Sequence, residues 1–250
     1  IATRGDDDAL RIQANAVIQN ILPQKLAKKF RQLAQKGLGQ DIDLETGMML
    51  IMEFGYPDSN PEEYRQQLDD LAQNFADTLN PEAEPSEIVA AFTHFLFQQK
   101  GFKGNKDNYQ NPDNSFINKV LDNQTGLPIT LSAICVLLAK RLNLPIVGVG
   151  MPGHYIVKYS LPIEPIYFDP FHQGRLLTKK ECIRIVEQFG HSFEEHFLSQ
   201  ATQRETLIRM LNNLVQVYKN SNETKKADTL AEYIKILLNP SRDQQSERTR

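Results

Sequence analysis

Only one short block of this chain reads as strand. Apolar residues recur at helical spacing through most of residues 8–142, alternate over 145–169, and return to helical spacing from 204 onward. Within the block, Pro145-Ile-Val-Gly-Val-Gly-Met151 is β-rich, Pro152-Gly153 marks a turn, and His154-Tyr-Ile-Val-Lys-Tyr159 alternates. Pro165-Ile-Tyr-Phe-Asp169 is a third strand, followed by the turn Pro170–Gly174. Strands this few, consecutive and hairpin-linked pair antiparallel. The expected class is therefore α+β, a small antiparallel sheet packed on helices within a mainly helical chain.

Punctuation residues delimit the helices. Residues 8–37 read as an antiparallel pair in which Pro23 begins the second helix, closed by Gly37 and Gly39. Asp43 is the expected N-cap of a helix over 44–54, and Pro61 the first residue of one reaching about Leu79. Ser86 is expected to cap the next, which ends before Gly101. Residues 101–115 form a polar loop rich in Asn, Asp, Lys and Gly, and loops of that length are more often functional than incidental. A short helix over 116–121 precedes one spanning Pro128–Leu142, with Leu131, Ile134, Cys135, Leu138 and Leu142 on one face. Near the end, Arg204–Lys219 and Lys225–Leu238 flank a polar turn. Tyr218, Ala227 and Pro240 there fit a single tetratricopeptide unit, although Val215 stands where Gly is usual. One unit cannot bury its own apolar face, so it packs on the domain or opens a longer array. The chain thus divides into a helical hairpin lead-in (1–40), an α+β domain (41–203), a helical hairpin (204–240) and a polar tail (241–250) expected to be disordered.

Composition excludes several functions. With 28 Lys+Arg against 31 Asp+Glu, the net charge of −3 offers no footprint for nucleic acid and no polybasic surface for a membrane. No run of about 18 apolar residues occurs, so no transmembrane helix is expected. The N-terminal stretch 1–8 is acidic and lacks an apolar core, so it is not expected to be a signal peptide; its start without Met fits a trimmed piece of a longer chain. Two cysteines, Cys135 and Cys182, make neither a disulfide framework nor a Cys-only zinc site, and a reduced, cytoplasmic setting is expected.

The chemistry-bearing residues follow one another in a telling order. Cys135 lies on a helix, His154 and Asp169 on the strands after it: nucleophile, base, orienter. A metal reading would combine His154, Asp169 and His172, but Asp-Pro-Phe-His is not a recognised ligand spacing, so no metal and no cofactor are expected. His191 and His196 are five apart, which is wrong for an i, i+4 zinc pair, and read as surface histidines. Gly148-Val-Gly150 lacks the third glycine of a dinucleotide fingerprint.

A set of short motifs then carries a resemblance. Asn114-Ser115-Phe116, Thr125-Gly126-Leu127-Pro128-Ile129-Thr130-Leu131, Ala139-Lys140-Arg141-Leu142, Gly148-Val149-Gly150-Met151-Pro152-Gly153-His154 and Asp169-Pro170-Phe171 occur in order. Together they resemble the SirB family, a transglutaminase-like group often followed by tetratricopeptide repeats and also found inside an F-box protein of animals. The match covers roughly residues 40–240, which makes 41–203 the transglutaminase-like part. The resemblance implies a papain-like core in which a helix presents the nucleophile and an antiparallel sheet presents His154 and Asp169. It does not carry the cysteine over. In active members that residue sits at the helix N-terminus, about fifteen residues before the closing Gly, where helix dipole and free N–H groups favour a thiolate. Counted back from Asn143, which takes that Gly's place, the slot falls on Pro128, or on Ile129 one residue later.

Cys135 is nearly two turns inside the helix, on the stripe of Leu131, Ile134 and Leu138, and reads as a small core residue. Cys182 falls in a solvent-edged helix, with a structural role expected. Thr130 and Ser132 are hydroxyls near the helix start that His154 could activate, although such residues more often serve local hydrogen bonding. The expected function is a catalytically silent transglutaminase-like protein-interaction or regulatory module. It would engage a protein partner through a cleft near Asn114, Pro128, Thr130, His154 and Asp169, or through the C-terminal hairpin. The alternatives are a hydrolase or acyltransferase acting on amide bonds with Cys135 or a hydroxyl, and a helical scaffold whose core is only structural.

Overall fold

The computed structural model describes residues 21–37 and 40–240. The first arm of the expected N-terminal pair, Gly39 and the tail 241–250 lie outside them. Helix α1 occupies residues 21–36 and contains Pro23 in its first described turn. Helix α2 (Leu44–Gly55) starts where Asp43 accepts the Thr46 N–H at 2.8 Å, a side-chain cap of the expected kind. Helix α3 (Pro61–Ala76) begins with Pro61 behind the Asn60 cap. Helix α4 (Pro85–Thr93) corrects one expectation: Glu84, not Ser86, is its cap. Pro85 suits the first helical position, and the Glu87 carboxylate reaches back to the Glu84 N–H at 2.9 Å. It runs into a π-helical turn over His94–Gln99.

The polar loop is more ordered than its composition suggests. Strand β1 (Lys103–Gly104) pairs in parallel with β2 (Thr125–Gly126), and a 3₁₀ turn covers Pro112–Ser115. Helix α5 (Ile117–Asn123) leads through β2 into α6 (Pro128–Leu142). The limits of α6 follow from Pro128 at its first position and Asn143 at φ 53° beyond its end.

The main sheet is a meander of β3 (Ile146–Val149), β4 (Ile156–Tyr159), β5 (Ile166–Asp169) and β6 (Arg175–Leu177), antiparallel throughout. Its register sets Val149 against Ile156, Val157 against Phe168 and Asp169 against Arg175. Neighbouring side chains alternate between two cores, as a pleated strand demands. Val157 and Phe168 join the large core with α6, whereas Ile156 and Tyr167 join a smaller one with α7 (Lys179–Gln188). Cys182 of α7 is fully buried in that smaller core rather than at a solvent edge.

Helices α8 (Gln203–Asn220) and α9 (Thr224–Leu238) form the C-terminal hairpin, and it packs on the domain. Leu207, Met210, Leu211 and Leu214 of α8 are buried in the large core, which extends continuously from Leu26 of α1 to Leu237 of α9. Tyr233 stacks on Phe30 with ring centroids 4.6 Å apart and donates to the Pro23 carbonyl. Arg204 donates to the carbonyls of Leu237 and Ala34, tying α9 and α1 to α8. No helix among the described residues is long and apolar enough to cross a membrane.

Candidate functional site

His154 and Asp169 meet because the hairpin β4–β5 carries them to the same end of the sheet. Before β4, the chain turns at Gly153, whose φ of +74° L side chains rarely adopt. A Cβ there would also lie 2.1 Å from the Phe189 ring. Arg209 of α8 holds this turn, donating to the carbonyls of Met151 at 2.7 Å and His154 at 2.9 Å. The His154 ring is thus placed by a clamped backbone and is almost wholly buried.

Asp169 ends β5 and is 2% exposed. Its Oδ1 accepts the N–H groups of Phe171 at 3.0 Å and His172 at 3.3 Å. Its Oδ2 accepts His154 Nε2 at 2.7 Å and His172 Nδ1 at 2.7 Å. Burial pushes the Asp169 carboxyl up, yet the hydrogen bonds and charges of His154 and His172 outweigh it and hold the group below its ordinary value. An ionised carboxylate only accepts, so both histidines donate to it. In the neutral His154 ring this leaves Nδ1 as the basic nitrogen.

Aromatic rings wall the group. Phe171 lies edge-to-face with His172 and His154, at centroid separations of 5.3 Å and 6.4 Å, and Tyr109 packs on Phe171 at 5.9 Å. Gly104 of β1 makes room for that wall, since a Cβ on it would meet the Phe171 ring at 2.3 Å. Asn114 holds the Tyr109 loop: its side-chain amide donates to the carbonyls of Asn108 and Tyr109, and its Oδ1 accepts from Asn105 at 2.9 Å. The Asn114 carbonyl accepts the Leu127 N–H at 3.2 Å, joining the loop to the start of α6.

Cys135 is 1% exposed in the large core, and burial pushes its thiol far up. No hydrogen bond joins it to His154 among the described residues. Pro128 opens α6 and is buried, as are Ile129, Thr130 and Asn114. The hydroxyls of Thr130 and Ser132 are fully buried and bond to no group of the described residues, His154 included. Burial raises the Cys182 thiol to about 11. His191 and His196 are exposed, the latter pairing with Glu194 at 3.3 Å.

Sequence reasoning paired His154 with Asp169 but missed that His172 bonds the same oxygen. It also missed Arg209 and Tyr109, which reach the site from α8 and from the loop. No local pattern signals either contact, because both depend on packing between distant segments.

Comparison with known proteins gives the family. A family model described as the Transglutaminase-like superfamily matches residues 62–212. A UPF0162 protein of Xylella fastidiosa is 33% identical over 209 residues, which is 80% of this chain and 73% of that protein. A UPF0162 protein of Haemophilus influenzae is 23% identical over 182 residues, covering 72% of this chain and 67% of that protein. F-box only protein 21 of Mus musculus is 28% identical over 161 residues, 61% of this chain but 25% of that protein. No solved structure matches the chain.

Proposed function

The chain belongs to the transglutaminase-like superfamily, and on that premise we propose that it is a catalytically silent, SirB-type member that works as a protein-interaction or regulatory module. One observation supports the reading: the base and its carboxylate are in hydrogen-bond contact, while the start of α6, where the resemblance would place a thiol, carries Pro128 and Ile129. Acyl transfer through a thioester needs a thiolate facing the base. Cys135 is sealed in the core and its thiol is raised, the opposite of activation. His154 and Asp169 are then vestigial triad positions that persist as a buried structural pair.

A partner would engage the face around Tyr109 and His172, both exposed, above the buried Asn114, Pro128 and Thr130, or the outer surface of the hairpin α8–α9, which we read as tetratricopeptide-like. The likeness to F-box only protein 21 supports this reading, because the shared stretch makes up a quarter of that larger protein. Two unpaired cysteines are consistent with a reducing, cytoplasmic setting.

The competing reading is a hydrolase or acyltransferase acting on amide bonds through His154 and Asp169, with Cys135 or a hydroxyl, Thr130 or Ser132, as nucleophile. A fluorophosphonate probe distinguishes the two, because it labels hydroxyls activated by a neighbouring base. The native protein is expected to show no adduct by intact mass. Stoichiometric labelling of Thr130 or Ser132 that disappears in His154→Ala would establish the enzyme instead.

A further inference from the structure

The silent reading leaves the second histidine at Asp169 without a task, and the three side chains together meet the requirements of a metal site. His154, Asp169 and His172 each offer one ligand atom, and these atoms all lie within 4.8 Å of one another. We propose that they form a binding site for a divalent transition-metal ion of the zinc class. This inference goes beyond the interaction role and does not depend on it.

Donor type, spacing and support each favour the assignment. Two imidazole nitrogens and one carboxylate oxygen are a ligand set that suits Zn²⁺ and its neighbours, with bonds of about 2.0–2.2 Å. Tetrahedral ligands at that bond length stand roughly 3.3–3.5 Å apart. The present 2.7 Å contacts from Asp169 Oδ2 to His154 Nε2 and His172 Nδ1 therefore need to open by well under 1 Å, while the two imidazole nitrogens, within 4.8 Å of each other, settle to the same spacing. His172 can supply that movement, since its side chain is 44% exposed. The other two ligands are held: Asp169 Oδ1 is occupied by two backbone N–H groups, leaving Oδ2 for the ion. His154 sits on the turn clamped by Arg209. Outer bonds of this sort orient metal ligands.

Binding requires a balanced proton shift. The His154 proton moves from Nε2 to Nδ1 and the His172 proton from Nδ1 to Nε2, so each ring presents a lone pair without changing its charge. The exposed flank of His172 provides the ion's entry and its fourth, solvent-filled position. Spacing along the sequence argued against this set because the three residues come from two strand ends and a 3₁₀ turn, Pro170–His172.

Calorimetric titration of the metal-stripped full chain with Zn²⁺ alone tests the proposal. One equivalent is expected to bind. His172→Ala, whose side chain is too exposed for its loss to unfold the protein, should weaken binding at least about tenfold. The double variant His191→Ala/His196→Ala should bind as the parent does. Absence of binding, binding unchanged by His172→Ala, or binding lost in the double variant would overturn the assignment.

Discussion

A chain ending at Thr202 is expected not to fold. Although α8 and α9 form a separable-looking hairpin, α8 is a wall of the large core. Leu207, Leu211 and Leu214 are fully buried and Met210 is 1% exposed. Burial of such a side chain contributes about 1.5–3 kcal/mol, so these four account for roughly 6–12 kcal/mol. The whole stability of a domain is about 5–15 kcal/mol. The truncation would also remove Arg209 from the carbonyls of Met151 and His154, and Tyr233 from its stack on Phe30. Far-UV circular dichroism through a urea titration is the measurement. The full chain should show a cooperative transition and residues 1–202 none. A cooperative transition in the shorter chain would mean that the hairpin is an appendage.

Asp169→Ala is expected to destabilise the protein by about 3–5 kcal/mol, because each buried donor left without its acceptor costs about 1–3 kcal/mol. Four donors converge on this carboxylate: the two imidazoles and the N–H groups of Phe171 and His172. Alanine leaves all four without their acceptor at a position 2% exposed. At about 2–4 °C per kcal/mol for a chain of this size, the thermal midpoint should fall by roughly 10 °C. Asp169→Asn keeps an oxygen for the backbone N–H groups and should lose less than half as much. A loss below about 1 kcal/mol in Asp169→Ala would show that the network is not structural.

Much of this architecture was legible because local rules decide it. Asp43 caps a helix, Pro61 and Pro128 open helices, and alternation over 154–159 marks a strand, each a matter of a few adjacent residues. Strand β6 was missed because it has three residues, with Arg175 and Leu176 exposed. The turn into it uses Gln173 at φ 56° before Gly174, where glycine or asparagine would have been the clearer sign. Cys182 looked solvent-edged since α7 is mostly polar; the second core, with Ile156 and Tyr167 of the sheet beside Val149, Met151 and Leu198, explains its burial. At the site, chain order identified His154 and Asp169. The second imidazole on Asp169 requires the backbone path through Pro170–His172, which no spacing rule encodes.

The reactivity of Cys135 in the folded protein tests whether this transglutaminase-like core has a usable thiol. Iodoacetamide at pH 7.5, followed by peptide mass analysis, is expected to leave Cys135 unmodified while the protein stays folded and to modify it fully in denaturant, as burial and a raised thiol require. Rapid alkylation of Cys135 in the native state, abolished by His154→Ala, would instead establish the cysteine enzyme.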